Sequence, residues 1–295
     1  MKVIKPVPIA DAQFVSSTAP ETDHPAYAAG TNYAVGARVI YLHKIWQSVQ
    51  TPNTGNTPGT NALYWAEIAP TNRWAMLDTE ISTQTALASP LSVVIKPGYV
   101  NSLALFALEG TRLDVTVRDG LAGPVVYTAT KSLDGTLIAD WYQYFFEPSV
   151  QLGEVVLADL PPYGDAHVTV TVSGAGTVKC GSLTAGTFYA LGDAQYGASA
   201  GIIDYSRKDT SAAGVTTLVK RKFSKRMSVQ LSLDNAQMNK VQRVLADLRA
   251  TPCVWIGTDA AGYEPLTVFG FYRDFSIDVA YPTYSFCNLE IEGLA

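Results

Sequence analysis

The feature that most limits what this chain can fold into is a run of short apolar segments between residues 91 and 172, each closed by a turn signal. In order they are LSVVIK (91–96), SLALFALE (102–109), RLDVTVR (112–118), VVYTATK (125–131), WYQYFF (141–146), EVVLADL (154–160) and HVTVTV (167–172). Lys96-Pro97-Gly98, Arg118-Asp119-Gly120, Asp134-Gly135 and Pro161-Pro162-Tyr163-Gly164 separate them. A two-residue period sends successive side chains to opposite faces of a strand. In RLDVTVR it places Leu113, Val115 and Val117 on one face and Asp114, Thr116 and Arg118 on the other. Strand-like runs at near-regular spacing predict a sandwich or barrel. Residues 73–190 are therefore expected to form an antiparallel, jelly-roll-like β-sandwich within a mainly β protein.

The flanks read differently. Residues 191–295 mix strands with one main helix, an α+β pattern. Met238, Val241, Leu245 and Leu248 fall at helical spacing, Asp234 or Asn235 can cap the start, and Pro252 lies beyond the end. Residues 25–72 form a compact aromatic unit, expected as a three-stranded module. So small a segment closes only a small core, so large rings must supply most of its buried area. Tyr33, Tyr41, Trp46 and Trp65 are the candidates for that core. Residues 1–24 read as an extended arm with room for a short strand between Val3 and Ile9. In an assembly such an arm is a natural strap onto a neighbouring subunit.

Composition removes several classes of function. With 47% hydrophobic and 16% charged residues the chain is globular, and its net charge of −5 speaks against nucleic acid, which needs a concentrated basic surface. Cys180, Cys253 and Cys287 are too far apart for a zinc or redox motif and read as buried apolar residues. Pro6 and Pro8 interrupt the place where a signal peptide needs an apolar core, and no run approaches the ~20 residues of a membrane span. The expectation is a soluble chain made in the cytoplasm, without membrane insertion.

Chemistry is sparse. His24, His43 and His167 lie in different regions, which leaves no basis for a shared metal site. No nucleophile elbow, phosphate loop, metalloprotease motif or dinucleotide fingerprint is present. Glu290 and Glu292 share a strand face, Asp274 lies in another strand-like run, and a solvated face explains them as well as a carboxylate pair would. No catalytic residue, metal or cofactor is expected. The cluster Lys220, Arg221, Lys222, Lys225 and Arg226 reads first as a charged sheet edge, which guards against aberrant pairing. It reads second as a surface for docking to an acidic partner.

Two resemblances add to this. Tyr33, Gly36, Val39, Tyr41, Trp46, the Gly55–Gly59 loop and Trp65-Ala66-Glu67-Ile68 resemble, in order and spacing, the chitin-binding type 3 domain of carbohydrate-binding module families 5 and 12. The resemblance implies that Trp46 and Trp65 are buried core rings. It also implies sugar-stacking rings just after the second strand, where this chain has Val49-Gln50-Thr51-Pro52 and no ring. Tyr27 and Tyr64 are the candidates for a relocated carbohydrate platform. Second, the opening MKVIKPVPIADAQF and the segments VNSLALFALEG, YGASAGIIDYSRKDT and VFGFYRDFSIDVAYPTYSFCNLEIEGL resemble proteins of tailed bacteriophages. That resemblance implies a virion structural protein of the tail tip or baseplate, synthesised in the host cytoplasm. Its implied partners are other tail proteins, further copies of itself and possible host-surface glycan. A glycan-binding adhesin is the alternative expectation, and a polysaccharide hydrolase targeted by the small module a third.

Overall fold

A computed structural model describes residues 1–136, 138, 140–210, 214–258, 260 and 262–294. The protein is mainly β, 48% strand and 9% helix, with a curled antiparallel sheet and one main helix.

The alternating runs build a five-stranded sheet in the order Val125–Ser132, Arg112–Asp119, Ala166–Ser173, Leu91–Ile95, Phe14–Ser17. Cross-strand register sets like residues in rows. Ile95, Val168 and Val117 make one row, Val93, Val170 and Val115 the next, and Leu91, Val172 and Leu113 the third. All of these side chains are buried, and each such burial contributes roughly 1.5–3 kcal/mol. On the outer face Asp114 accepts hydrogen bonds from Arg112 (2.7 Å) and Thr130 (2.7 Å).

These rows pack on one end of a ten-stranded sheet. Its order is Val155–Leu157, Ser102–Phe106, Ser182–Ala190, Lys2–Pro6, Cys253–Ile256, Thr267–Asp278, Tyr284–Gly293 and Phe223–Asp234, and the last pairs with both Asp193–Ala194 and Ser199–Asp204. Toward the other end, helix Met238–Asp247 lays Val241 and Leu245 on Val229, Leu231, Trp255 and Leu289. Asp234 caps the turn before the helix by accepting from Ala236 N–H (2.9 Å). Cross-strand partners share a face, and the register Leu105–Leu183, then Tyr189–Val3–Trp255, puts sandwich and helix side by side on one face.

The other face is concave. It holds Ile4, Ala104, Phe106, Val254, Ile256 and Phe269. The strands of Phe106 and Phe269 are four steps apart in the sheet, about 19 Å if the sheet were flat. Their ring centroids are 5.6 Å apart, so the sheet curls around this cluster.

Two segments sit where the sequence did not place them. Lys2–Pro6, expected in an arm that straps a neighbour, is a central strand of the chain's own sheet. Val3 pairs with Tyr189 on one side and Trp255 on the other, and Val3 and Ile4 are each 0% exposed. Two consecutive apolar residues suit a strand covered on both faces, and pairing on both edges leaves its backbone no free ladder for a partner. It joins strands from either side of residue 190 into one sheet. Farther along the arm, Phe14–Ser17 pairs with Leu91–Ile95. WYQYFF, expected as a strand, is instead helix Trp141–Phe146. Five of its six residues are aromatic, so it has no polar alternation to match a half-buried strand, and the Asp140 carboxylate accepts from Gln143 N–H (2.8 Å) as an N-cap.

The small module is a three-stranded sheet of Arg38–Tyr41, Lys44–Ser48 and Trp65–Pro70. Leu42 and His43, with φ of 49° and 61°, make its two-residue hairpin turn. No described helix is long and apolar enough to cross a membrane.

Candidate interaction surfaces

In the small module the expected core rings gather. Trp65 is buried, its ring 5.2 Å from Tyr33, and its indole N–H donates to the Asn56 carbonyl (2.8 Å). Trp46 is half-buried and donates to the Tyr41 carbonyl (3.1 Å). Tyr27, a candidate for the carbohydrate platform, lies inside this cluster. Its ring is 5.9 Å from Tyr33, 5.7 Å from Tyr41 and 6.0 Å from Trp65, and its hydroxyl is buried without a hydrogen-bond partner among the described residues. A ring packed on three others has little face left to stack on a sugar. Tyr64 is half-buried and makes no ring–ring contact among the described residues, and its carbonyl accepts from Val49 N–H (3.0 Å). The structure does not bring Tyr27 and Tyr64 into one exposed platform.

The module meets the rest of the chain at His43. Its imidazole stacks on Trp74 (4.2 Å between centroids), with Nδ1 2.8 Å from Glu21 and Nε2 2.9 Å from Asp11. Arg73 approaches the same Glu21 (3.7 Å), and Thr71 donates to it (2.9 Å). His24 and His167 lie elsewhere. Among the described residues no group of three or more His, Cys, Asp or Glu is placed to hold a metal. Glu290 and Glu292 stand in the strand Tyr284–Gly293, opposite Ser228 and Arg226. The three thiols are buried, and burial raises Cys180 and Cys253 to about 12 and Cys287 to about 11.

The basic cluster divides. Lys225 is half-buried and bonds Glu154 (2.5 Å), which lies just before the strand Val155–Leu157 at the opposite edge of the curled sheet. Burial raises the Glu154 carboxyl above its ordinary range, against the pull of Lys225, and its second oxygen is buried without a hydrogen-bond partner among the described residues. The pair borders a cavity of about 450 Å³ walled by Phe106, Phe269, Ile81 and Leu294. Arg226 is exposed across from Glu292. Lys220, Arg221 and Lys222 lie instead at the base of a two-stranded ribbon, just after its second strand. Strands Arg207–Thr210 and Thr216–Val219 pair with each other alone, and every residue of both is exposed. Lys222 donates to Ser82 Oγ (2.5 Å) at the base of this ribbon.

One exposed aromatic surface was not expected from the sequence. Trp141, Tyr142, Tyr144, Phe145 and Phe146 on the short helix are each between 59% and 77% exposed. They stack mainly on one another: Trp141 on Phe145 at 6.2 Å, Tyr142 on Phe146 at 5.1 Å. Exposed Ile138 and Val150 flank them. Contiguous exposed apolar patches mark interaction sites, and aromatic rings are enriched in interface cores. The signal was present as Asp140 in a capping position and an apolar run without alternation.

No protein-family model matches the chain, and no curated protein matches its sequence.

Proposed function

We propose that this chain is a structural component of a bacteriophage tail, at the tip or baseplate, which works by adhering to neighbouring tail proteins. The observation that carries the reading is the aromatic knob: five large rings stand in solvent on a scaffold that buries many other large apolar side chains in extended clusters. Leaving that area exposed is costly unless another surface covers it, since burial returns roughly 25 cal/mol per Å². The tail-protein resemblance of the opening segment and of the three longer segments supplies the particle, and the work needs no cofactor or catalytic group. The test is mass spectrometry and cryo-electron microscopy of purified virions from a phage that encodes the chain. The expected result is the chain at the tail tip with the knob against another protein. A chain made during infection but missing from the particle overturns the reading.

A second reading is attachment to host-surface glycan. The same knob favours it, because exposed Trp141 and Tyr142 can stack on pyranose rings as Tyr27, packed inside its cluster, cannot. Glycan-array binding lost in Trp141→Ala supports it, and no binding to any glycan removes it.

A further inference from the structure

The knob and the ribbon complement one another. The knob segment, residues 132–153, carries Asp134, Asp140 and Glu147 and no lysine or arginine. The two ribbon strands and the residues at their base carry Arg207, Lys208, Lys220, Arg221 and Lys222, with Asp209 in the first strand and Asp204 just before it. This is a strongly basic tract on a chain whose net charge is −5. Among the described residues Asp134, Asp140 and Glu147 form no salt bridge, and neither do Lys208, Lys220, Arg221 and Lys222. Arg207 pairs with its neighbour Asp209 (2.7 Å), and hydrogen bonds from Ser206, helped by the nearby charge of Lys220, hold the Asp204 carboxyl below its ordinary range. Apolar character matches as well: the ribbon exposes Leu218 (76%), Val215 and Val219 beside its cations, and Phe223 follows at its base. Arginine and lysine stems also pack favourably on aromatic faces.

Resting on the assembly reading above, we propose that the acidic aromatic knob of one copy docks on the basic ribbon of the next. With the knob on one neighbour and the ribbon on another the contact is head-to-tail, and it builds a ring where its rotation closes and an open row where it does not. Opposite charge speeds the encounter and selects the partner, while the rings supply the buried area.

The test is sedimentation velocity on the full chain at rising concentration, in low and in high salt. Wild type is expected to self-associate, less so in high salt, since the charges lie at the surface. Trp141→Ala/Phe145→Ala and Lys220→Ala/Arg221→Ala/Lys222→Ala are each expected to weaken association about ten-fold or more, the loss of one interface anchor. A milder variant, Asp140→Asn/Glu147→Gln, keeps the rings and a capping side chain, and should flatten the salt dependence. An equimolar mixture of the knob and ribbon variants should form a 1:1 dimer that grows no further, because only one native knob and one native ribbon remain to meet. A wild type that stays monomeric, unchanged association in either triple or double alanine variant, or a mixture that stays monomeric overturns the proposal. Each of those results leaves the tail reading standing if the chain is found in virions, and only its absence there removes that reading.

Discussion

The strand Lys2–Pro6 and the helix Trp141–Phe146 are nearly equal in length, yet one is central in the sheet and the other stands in solvent. By composition the reverse is natural: the first holds two lysines and a proline, the second five aromatic rings. What separates them is the hydrogen-bonding edge. The strand offers a ladder on both sides to Ser182–Ala190 and Cys253–Ile256, so its two apolar residues are covered along with the backbone they belong to. The helix closes its turns on its own backbone, and its five aromatic side chains are all exposed. Burial here follows the pairing of peptide groups, and apolar content decides only what the buried side chains are.

Mutations that strike each region sharpen the contrast. The largest effect is expected for Ile4→Ala in the seam strand, a loss of about 2–5 kcal/mol from a fully buried site; chemical denaturation measures it, and a loss under one tenth of that range breaks the contrast. Gly186→Ala comes next. A Cβ there would lie 2.1 Å from the Lys5 carbonyl oxygen, backbone that cannot swing aside, so overpacking should cost about 1–3 kcal/mol. A smaller change follows Lys5→Gln. Lys5 hydrogen-bonds Asp247 on the long helix, and that bond raises its pKa. A raised amine pKa contributes stability below its unfolded value and loses it as pH climbs past the folded one. The difference from wild type should be a few tenths of a kcal/mol at neutral pH, since the pair is largely solvent-screened, and should vanish in strongly alkaline solution. Smallest of all, Trp141→Ala should leave the melting temperature of the isolated chain within error, about 0.5 kcal/mol or less. A large drop would mean that the knob is part of a core after all.

Much of the architecture was legible because it is local. The alternation in RLDVTVR and HVTVTV sets the buried rows, and the spacing of Val241, Leu245 and Leu248 sets the helix face. The register of Lys2–Pro6 was not legible: its partners lie far along the sequence, and no short-range pattern encodes which edge a strand will join. The basic run showed its charge but not its division, because Lys225 turns to Glu154 only once the sheet curls. The knob was hidden by its own apolarity, which weighs toward a core strand unless Asp140 is noticed as a cap. Tyr27 looked available only because its three ring neighbours, Tyr33, Tyr41 and Trp65, come together through the module's turns.

The seam strand also constrains the order of folding. Lys2 pairs with Ile256 as well as with Ala190, so this strand waits for its second neighbour until the whole intervening chain has been made. Until Cys253–Ile256 emerges, the nascent chain carries an open ladder edge of the kind that recruits foreign strands. Shielding this edge until its partner arrives would raise the yield of folded protein.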